Sequence, residues 1–167
     1  SGFLADVCVA WEREMFGLAL PATRCVAIRT GIVLTNEGGT LPILGRLAKF
    51  GLGGTIGSGR QWWSTIHLDD LVRLYIHAIS DPLEGPLNGV LPQPEHNADF
   101  MMVLRHTARV PFGIPAPAFG VRLVGEIVGP DASLSLTSTR VIPVAAREAG
   151  FTFRFPTLDA ALTDLIR

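Results

Sequence analysis

The sequence predicts an α/β architecture. Short apolar runs of strand length alternate with stretches whose apolar residues recur at helical spacing. Five glycines within the nine residues 51–59 interrupt that alternation with a loop. At 167 residues and 48% hydrophobic content, the chain can bury a substantial core and does not have the composition of a disordered segment.

The first element is a helix. Phe3, Leu4, Val7, Cys8, Trp11 and Met15 form its apolar face, and Gly17 stands where it should stop. Cys25–Ile28 reads as a short buried strand leading into an Arg29-Thr30-Gly31 turn. A Gly/Thr/Asn loop is expected from Gly31 to Thr40, then a helix from Pro42 to Phe50. Beyond the glycine loop, Trp62–Leu68 can extend. Asp69 or Asp70 should then cap a helix with Leu71, Val72, Tyr75, Ile76 and Ile79 on one face. Pro82 and Gly85-Pro86 stop it, and Leu87–Leu91 reads as another strand. Asn97 is the expected cap of a helix carrying Phe100, Met101 and Leu104.

From Pro111 prolines and glycines alternate with apolar residues, the texture of a linker or docking arm. A helix is expected over Ala118–Val128, and a last one capped by Thr157 carries Leu158, Ala161, Leu162, Leu165 and Ile166. The boundary is placed at 110/111, with residues 1–110 in the α/β unit and 111–167 in a small terminal domain. Roughly two or three strand candidates are too few for an independent doubly wound sheet.

Composition narrows the partners. Net charge is −1, from 14 basic and 15 acidic residues, which leaves no electrostatic footprint for nucleic acid or an anionic membrane. The greasiest stretch, around Pro117–Val128, is broken by Arg122 and Glu126, so no spanning helix is expected. Asp6, Glu12, Arg13 and Glu14 break any signal-peptide pattern at the start. Cys8 and Cys25 lack metal or disulfide spacing and read as inert core thiols, which suits a cytoplasmic location.

Few residues offer chemistry. A dinucleotide fingerprint starting at Gly51 and Gly53 would need glycine at position 56, which is Ile56, so the loop lines a pocket rather than cradling a phosphate. Arg60, Gln61, Trp62 and Trp63 follow it. Arginine offers a planar fork for phosphate or carboxylate, and tryptophan a flat face for a base or sugar, which makes a substrate-pocket lip. The plainer alternative packs one tryptophan in the core and leaves Arg60 in solvent. His67, Asp69 and Asp70 read first as strand end, cap and dipole-favourable charge. His77, His96 and His106 are separately placed, so no metal site is expected. Nor does Gly57-Ser-Gly59 have the flanking spacing of a serine-nucleophile elbow.

Read together, several blocks resemble one family. They are Arg29-Thr-Gly-Ile-Val-Leu34, Gly51-Leu-Gly-Gly54, Gly57-Ser-Gly-Arg-Gln-Trp62, Ile66-His-Leu-Asp-Asp-Leu-Val72, Gly85-Pro-Leu-Asn88 and Asn97-Ala-Asp-Phe100. Ala149-Gly-Phe-x-Phe-x-Phe-Pro-Thr-Leu158 resembles the signature of a small C-terminal domain of unknown function. The set is similar to the C-terminal portion of NAD(P)-dependent epimerase/dehydratase-like proteins, atypical extended short-chain dehydrogenase/reductases. The resemblance implies a Rossmann-type fold of which this chain is the substrate-side lobe, in a protein of about twice this length.

It also implies NADP or NAD as cofactor, held mainly by a half this chain lacks, and a small-molecule substrate, possibly a sugar nucleotide. By that resemblance Arg29, Thr30 and Gly31 pass near the nicotinamide, and Arg60, Gln61, Trp62 and His67 line the substrate region. The superfamily's Tyr and Lys, four residues apart on a helix, would fall on the opening helix, which offers Phe3 and Val7. No catalytic residue is therefore assigned, and a non-catalytic metabolite-binding protein of the same fold is the alternative. A chain with severed sheet edges is also expected to form a homo-oligomer.

Overall fold

The computed structural model describes residues 3–119 and 135–166. In chain order the described elements are α1 (Phe3–Gly17), β1 (Val26–Thr30), β2 (Ile32–Leu34), α2 (Thr40–Lys49), β3 (Trp62–Trp63), β4 (Thr65–His67) and α3 (Leu68–Ser80). They continue with β5 (Gly85–Gly89), β6 (Glu95–His96), α4 (Asn97–Thr107), α5 (Val144–Glu148) and α6 (Leu158–Leu165). The mixed α/β architecture expected from the alternation is present.

β1 and β2 are one run of chain broken at Gly31. Before the break β1 pairs in parallel with β5; after it, β2 pairs in parallel with β4. Arg29 and Thr30 therefore lie in a strand, opposite Asn88 and Gly89, rather than in a turn. Ile32–Leu34, expected as loop, is also strand, because the main-chain groups of Thr65–His67 satisfy it. β3 pairs antiparallel with β6, two residues each, too short to leave a period in the sequence.

One core gathers Leu34, Leu41, Leu44, Trp63, Phe100, Met101 and Leu104 with Phe155, Leu158, Ala161 and Leu162. A second joins Leu74, Ala78 and Leu87 to Ala146 and Phe151. The helical faces expected around Phe100 and Leu158 are buried. Thr157 accepts a hydrogen bond from the Ala160 amide at 3.2 Å, the expected cap. Thr157→Ala should cost about 1 kcal/mol, read as a lower urea midpoint with an unchanged slope.

Other expectations are corrected. The α3 cap is His67, whose Nδ1 accepts from the Asp69 amide at 3.0 Å, and not Asp69 or Asp70, two and three residues further on. α3 buries Asp70, Leu71, Leu74 and Ala78, while Val72, Tyr75, Ile76 and Ile79 face outward. Arg24 binds the last turn of α3 and the loop beyond it, donating to the carbonyls of Ala78, Ile79 and Leu83 at 3.2, 2.9 and 2.9 Å. α1 has no buried residue, and Cys8 on it is exposed, not a core thiol. Asn97 begins α4 and turns its side chain toward the glycine loop, leaving His96 at the cap position. The helix expected over Ala118–Val128 lies, beyond Phe119, outside the described residues.

Candidate functional site

In open α/β sheets ligands bind beyond the carboxyl ends of the strands. The carboxyl ends of β1 and β5 lie at the junction at Gly31, where β2 and β4 begin. The Gly31 amide donates to Gly89 O at 3.0 Å, Ile32 to Ser64 O at 2.9 Å, and Leu91 to Thr65 O at 2.6 Å, so three strand ends meet. A Cβ on Gly31 would stand 2.4 Å from Ser64 O and 2.8 Å from Val90 Cγ1, so the glycine lets backbones touch. Thr30 is exposed at the end of β1.

Arg29 is already engaged. Its Nε and Nη2 donate to the two carboxylate oxygens of Glu12 at 2.8 and 2.6 Å, tying the half-exposed strand end to α1. This fork holds the Glu12 carboxyl below its ordinary range, chiefly through the hydrogen bond, with burial opposing and the Arg29 charge assisting. Arg29 thus anchors a helix, whereas the neighbouring Thr30 side chain is exposed at the strand end.

The glycine loop is held from behind. Asn97 Oδ1 accepts from the Ile56 amide at 2.8 Å, and Arg105 Nη1 donates to Gly53 O at 2.6 Å. Its backbone also touches the 113–115 segment, where Ile114 donates to Gly51 O at 2.7 Å and Gly54 to Ile114 O at 3.2 Å. A Cβ on Gly54 would fall 2.4 Å from Ile114 C and Pro115 N.

The residues expected at the substrate lip separate by direction. Arg60 is exposed and Trp62 half-buried. Gln61 turns inward: Nε2 donates to Ile56 O at 2.8 Å and Ser135 O at 3.2 Å, which fixes the loop exit. Trp63 is buried beside Phe100, its Nε1 on Ser135 O at 3.1 Å. His67 is only 3% exposed, its ring stacked on Phe155 at 3.9 Å between centroids. Accepting at Nδ1 places its proton on Nε2, which faces Asp164 Oδ2 at 3.5 Å without an aligned hydrogen bond. One tryptophan is thus core and the other surface.

Two residues the sequence did not single out join Trp62. The His96 ring lies 3.7 Å from the Trp62 ring, and the Arg140 guanidinium 5.1 Å from its centroid. His96 Nδ1 lies 2.7 Å from Arg60 O; because a carbonyl only accepts, that nitrogen carries the proton. Nearby, burial and the neighbouring Asp99 push the Glu95 carboxyl up, with His96 pulling the other way.

Elsewhere, a groove of about 340 Å³ between β1 and α3 is lined by Arg24, Val26, Ile28, Tyr75, Ala78 and Ile79 and holds none of the expected site residues. Among the described residues no His, Cys, Asp or Glu group could hold a metal ion, and no helix is long and apolar enough to cross a membrane.

Comparison with known proteins bears on the whole chain. Residues 116–165 match the family model described as Domain of unknown function (DUF1731). An epimerase family protein of Staphylococcus saprophyticus is 38% identical over 165 residues, covering 98% of this chain and 54% of that protein. The crystal structure of human epimerase family protein SDR39U1 (isoform 2) with NADPH matches with a TM-score of 0.86 and 32% identity. That match covers 99% of this chain and 56% of the human one. UDP-glucose 4-epimerase of Thermotoga maritima, at 14% identity and a TM-score of 0.65, shares the fold over 98% of this chain and 50% of its own. The chain thus spans about half the length of the relatives it matches. Along its whole length the chain is similar to the C-terminal portion of epimerase family proteins, and its fold is that of the corresponding part of an extended short-chain dehydrogenase/reductase.

Proposed function

We propose that this chain forms the substrate-side wall of an NAD(P)-dependent epimerase or oxidoreductase acting on a small molecule of the sugar-nucleotide class in the cytoplasm. The observation that carries the reading is the human relative solved with NADPH, which matches this chain along 99% of its length. Residues 1–110 form the epimerase-like unit and 111–167 the terminal domain. Thr30 and Gly31 border the nicotinamide, and Arg29 seats α1 through Glu12. Arg60 and Trp62 face the substrate, while Gln61 and His67 hold that wall from behind. We place the pyrophosphate contacts on the part of the relatives that this chain does not span, so the chain alone is expected to be inactive.

The test is calorimetric titration of the full-length protein with NADPH and NADH. Saturable binding of one is expected; binding of neither ends this reading. A second reading, a metabolite-binding protein without turnover, is favoured by Phe3 and Val7 on α1, neither of which can move a proton. NADPH binding with no turnover of any sugar nucleotide would select it.

A further inference from the structure

The segment just after residue 134 belongs to the terminal domain, and it is laced along the Arg60–Ser64 stretch. Trp62 N donates to Ser138 Oγ at 3.1 Å and Thr139 N to Trp62 O at 3.1 Å. Ser64 Oγ donates to Thr139 O at 2.8 Å and accepts from Val141 N at 2.9 Å. With the Gln61 and Trp63 bonds to Ser135 O, this chain of contacts fixes where residue 140 emerges.

Arg140 emerges over Trp62. Stacking uses the face of a guanidinium and leaves its in-plane N–H donors directed outward. Among the described residues the arginine–carboxylate pairs are Arg29–Glu12, Arg73–Asp70 and Arg154–Asp69; Arg60 and Arg140 are in none. The acidic neighbour does not intrude, because side chains alternate across the β3–β6 ladder. Trp62 is paired with His96, and buried Trp63 with Glu95, on opposite faces. The outer face therefore presents a half-buried indole flanked by an imidazole and the unpaired guanidinium of Arg140, with exposed Arg60 two residues before the indole, a surface suited to a ring bearing phosphate.

We propose that Arg140, carried by the terminal domain of unknown function, is an anion-binding residue of the substrate site, with Trp62 and His96 as its platform and a nucleoside diphosphate moiety as its ligand. This rests on the substrate-wall reading above and gives the terminal domain a role: it braces the wall and contributes a positive charge in addition to that of Arg60.

The test uses full-length protein saturated with NADPH, so that the dinucleotide site is closed, and titrates UDP by calorimetry. UDP should bind, Arg140→Gln should weaken it roughly tenfold or more, and Arg140→Lys should recover part of the loss. Trp62→Leu should weaken UDP while leaving inorganic pyrophosphate little changed, because only the ring needs the indole. Equal UDP affinity in R140Q and the parent overturns the proposal. So does an absence of UDP binding in a protein that binds NADPH, and there the cofactor reading survives. UDP binding that depends on Arg140 in a protein indifferent to NADPH and NADH sinks the cofactor reading and keeps this one.

Discussion

Replacing Asp70 by alanine is expected to destabilise the protein by about 3–5 kcal/mol, the cost of removing one partner from a buried ionic network. The carboxylate is fully buried. Its Oδ1 accepts from Arg73 Nη1 at 2.9 Å and from the Arg154 amide at 2.8 Å, and its Oδ2 from the Phe155 amide at 2.8 Å. Alanine leaves two main-chain donors of the terminal segment without acceptors, each worth about 1–3 kcal/mol when buried. Asparagine has the right shape but points an N–H₂ group at a donor, so it should lose most of the same amount. Phe155, which stacks on His67 and belongs to the main core, sits at the end of this clamp. The loss should therefore show both as a lower urea midpoint and as faster proteolysis within residues 140–166.

The adjacent carboxylate is the control. Asp69 is exposed and meets Arg154 Nη1 at only 3.4 Å, while its amide, not its side chain, binds the His67 cap. Asp69→Ala should change stability by less than about 1 kcal/mol. Equal effects at the two positions would mean that the Asp70 clamp does not hold the terminal segment.

The contrast between those carboxylates shows what the sequence could and could not convey. Both looked like cap residues, because aspartate at a helix start usually is one. Only tertiary structure brings residues 154 and 155 to one of them, 85 positions away for Phe155. α4 and α6 were legible because each has one apolar stripe, around Phe100 and Leu158, set against polar residues. α3 was misread for the opposite reason. Leu71, Val72, Leu74, Tyr75, Ile76, Ala78 and Ile79 form one broad apolar arc, of which the fold buries only the edge bearing Leu71, Leu74 and Ala78. Asp70 chooses it, by being satisfiable only inward.

The substrate wall divides the same way. Arg60 and Trp62 face outward, yet Gln61 and His67, polar in sequence, find their partners or their packing inside. Polarity marks a need for partners and leaves open whether they are ligand, water or main chain. Arg140 left no trace because an exposed arginine in an irregular segment has neither period nor motif. Its place follows from hydrogen bonds between the terminal segment and Trp62–Ser64.

Gly31→Ala is the second substitution expected to have a large effect, about 3 kcal/mol or more of lost stability, at the upper end of overpacking costs. Such costs are usually softened by rotamer changes, but the atom met first here, at 2.4 Å, is the main-chain oxygen of Ser64. That oxygen is fixed by its bond to the Ile32 amide, and Gly31 itself is fixed by its bond to Gly89 O. Relief would require β2 to move away from β4 or β1 from β5, and either shift breaks a parallel ladder. The glycine is needed for this close approach and not for a left-handed backbone, since its φ lies outside that region. Gly38→Ala provides the comparison: a Cβ there meets nothing within 4 Å, and its midpoint should match the parent. If Gly31→Ala also matched the parent, the strand ends would have to part without cost, and the junction proposed to border the nicotinamide would be too soft to position it.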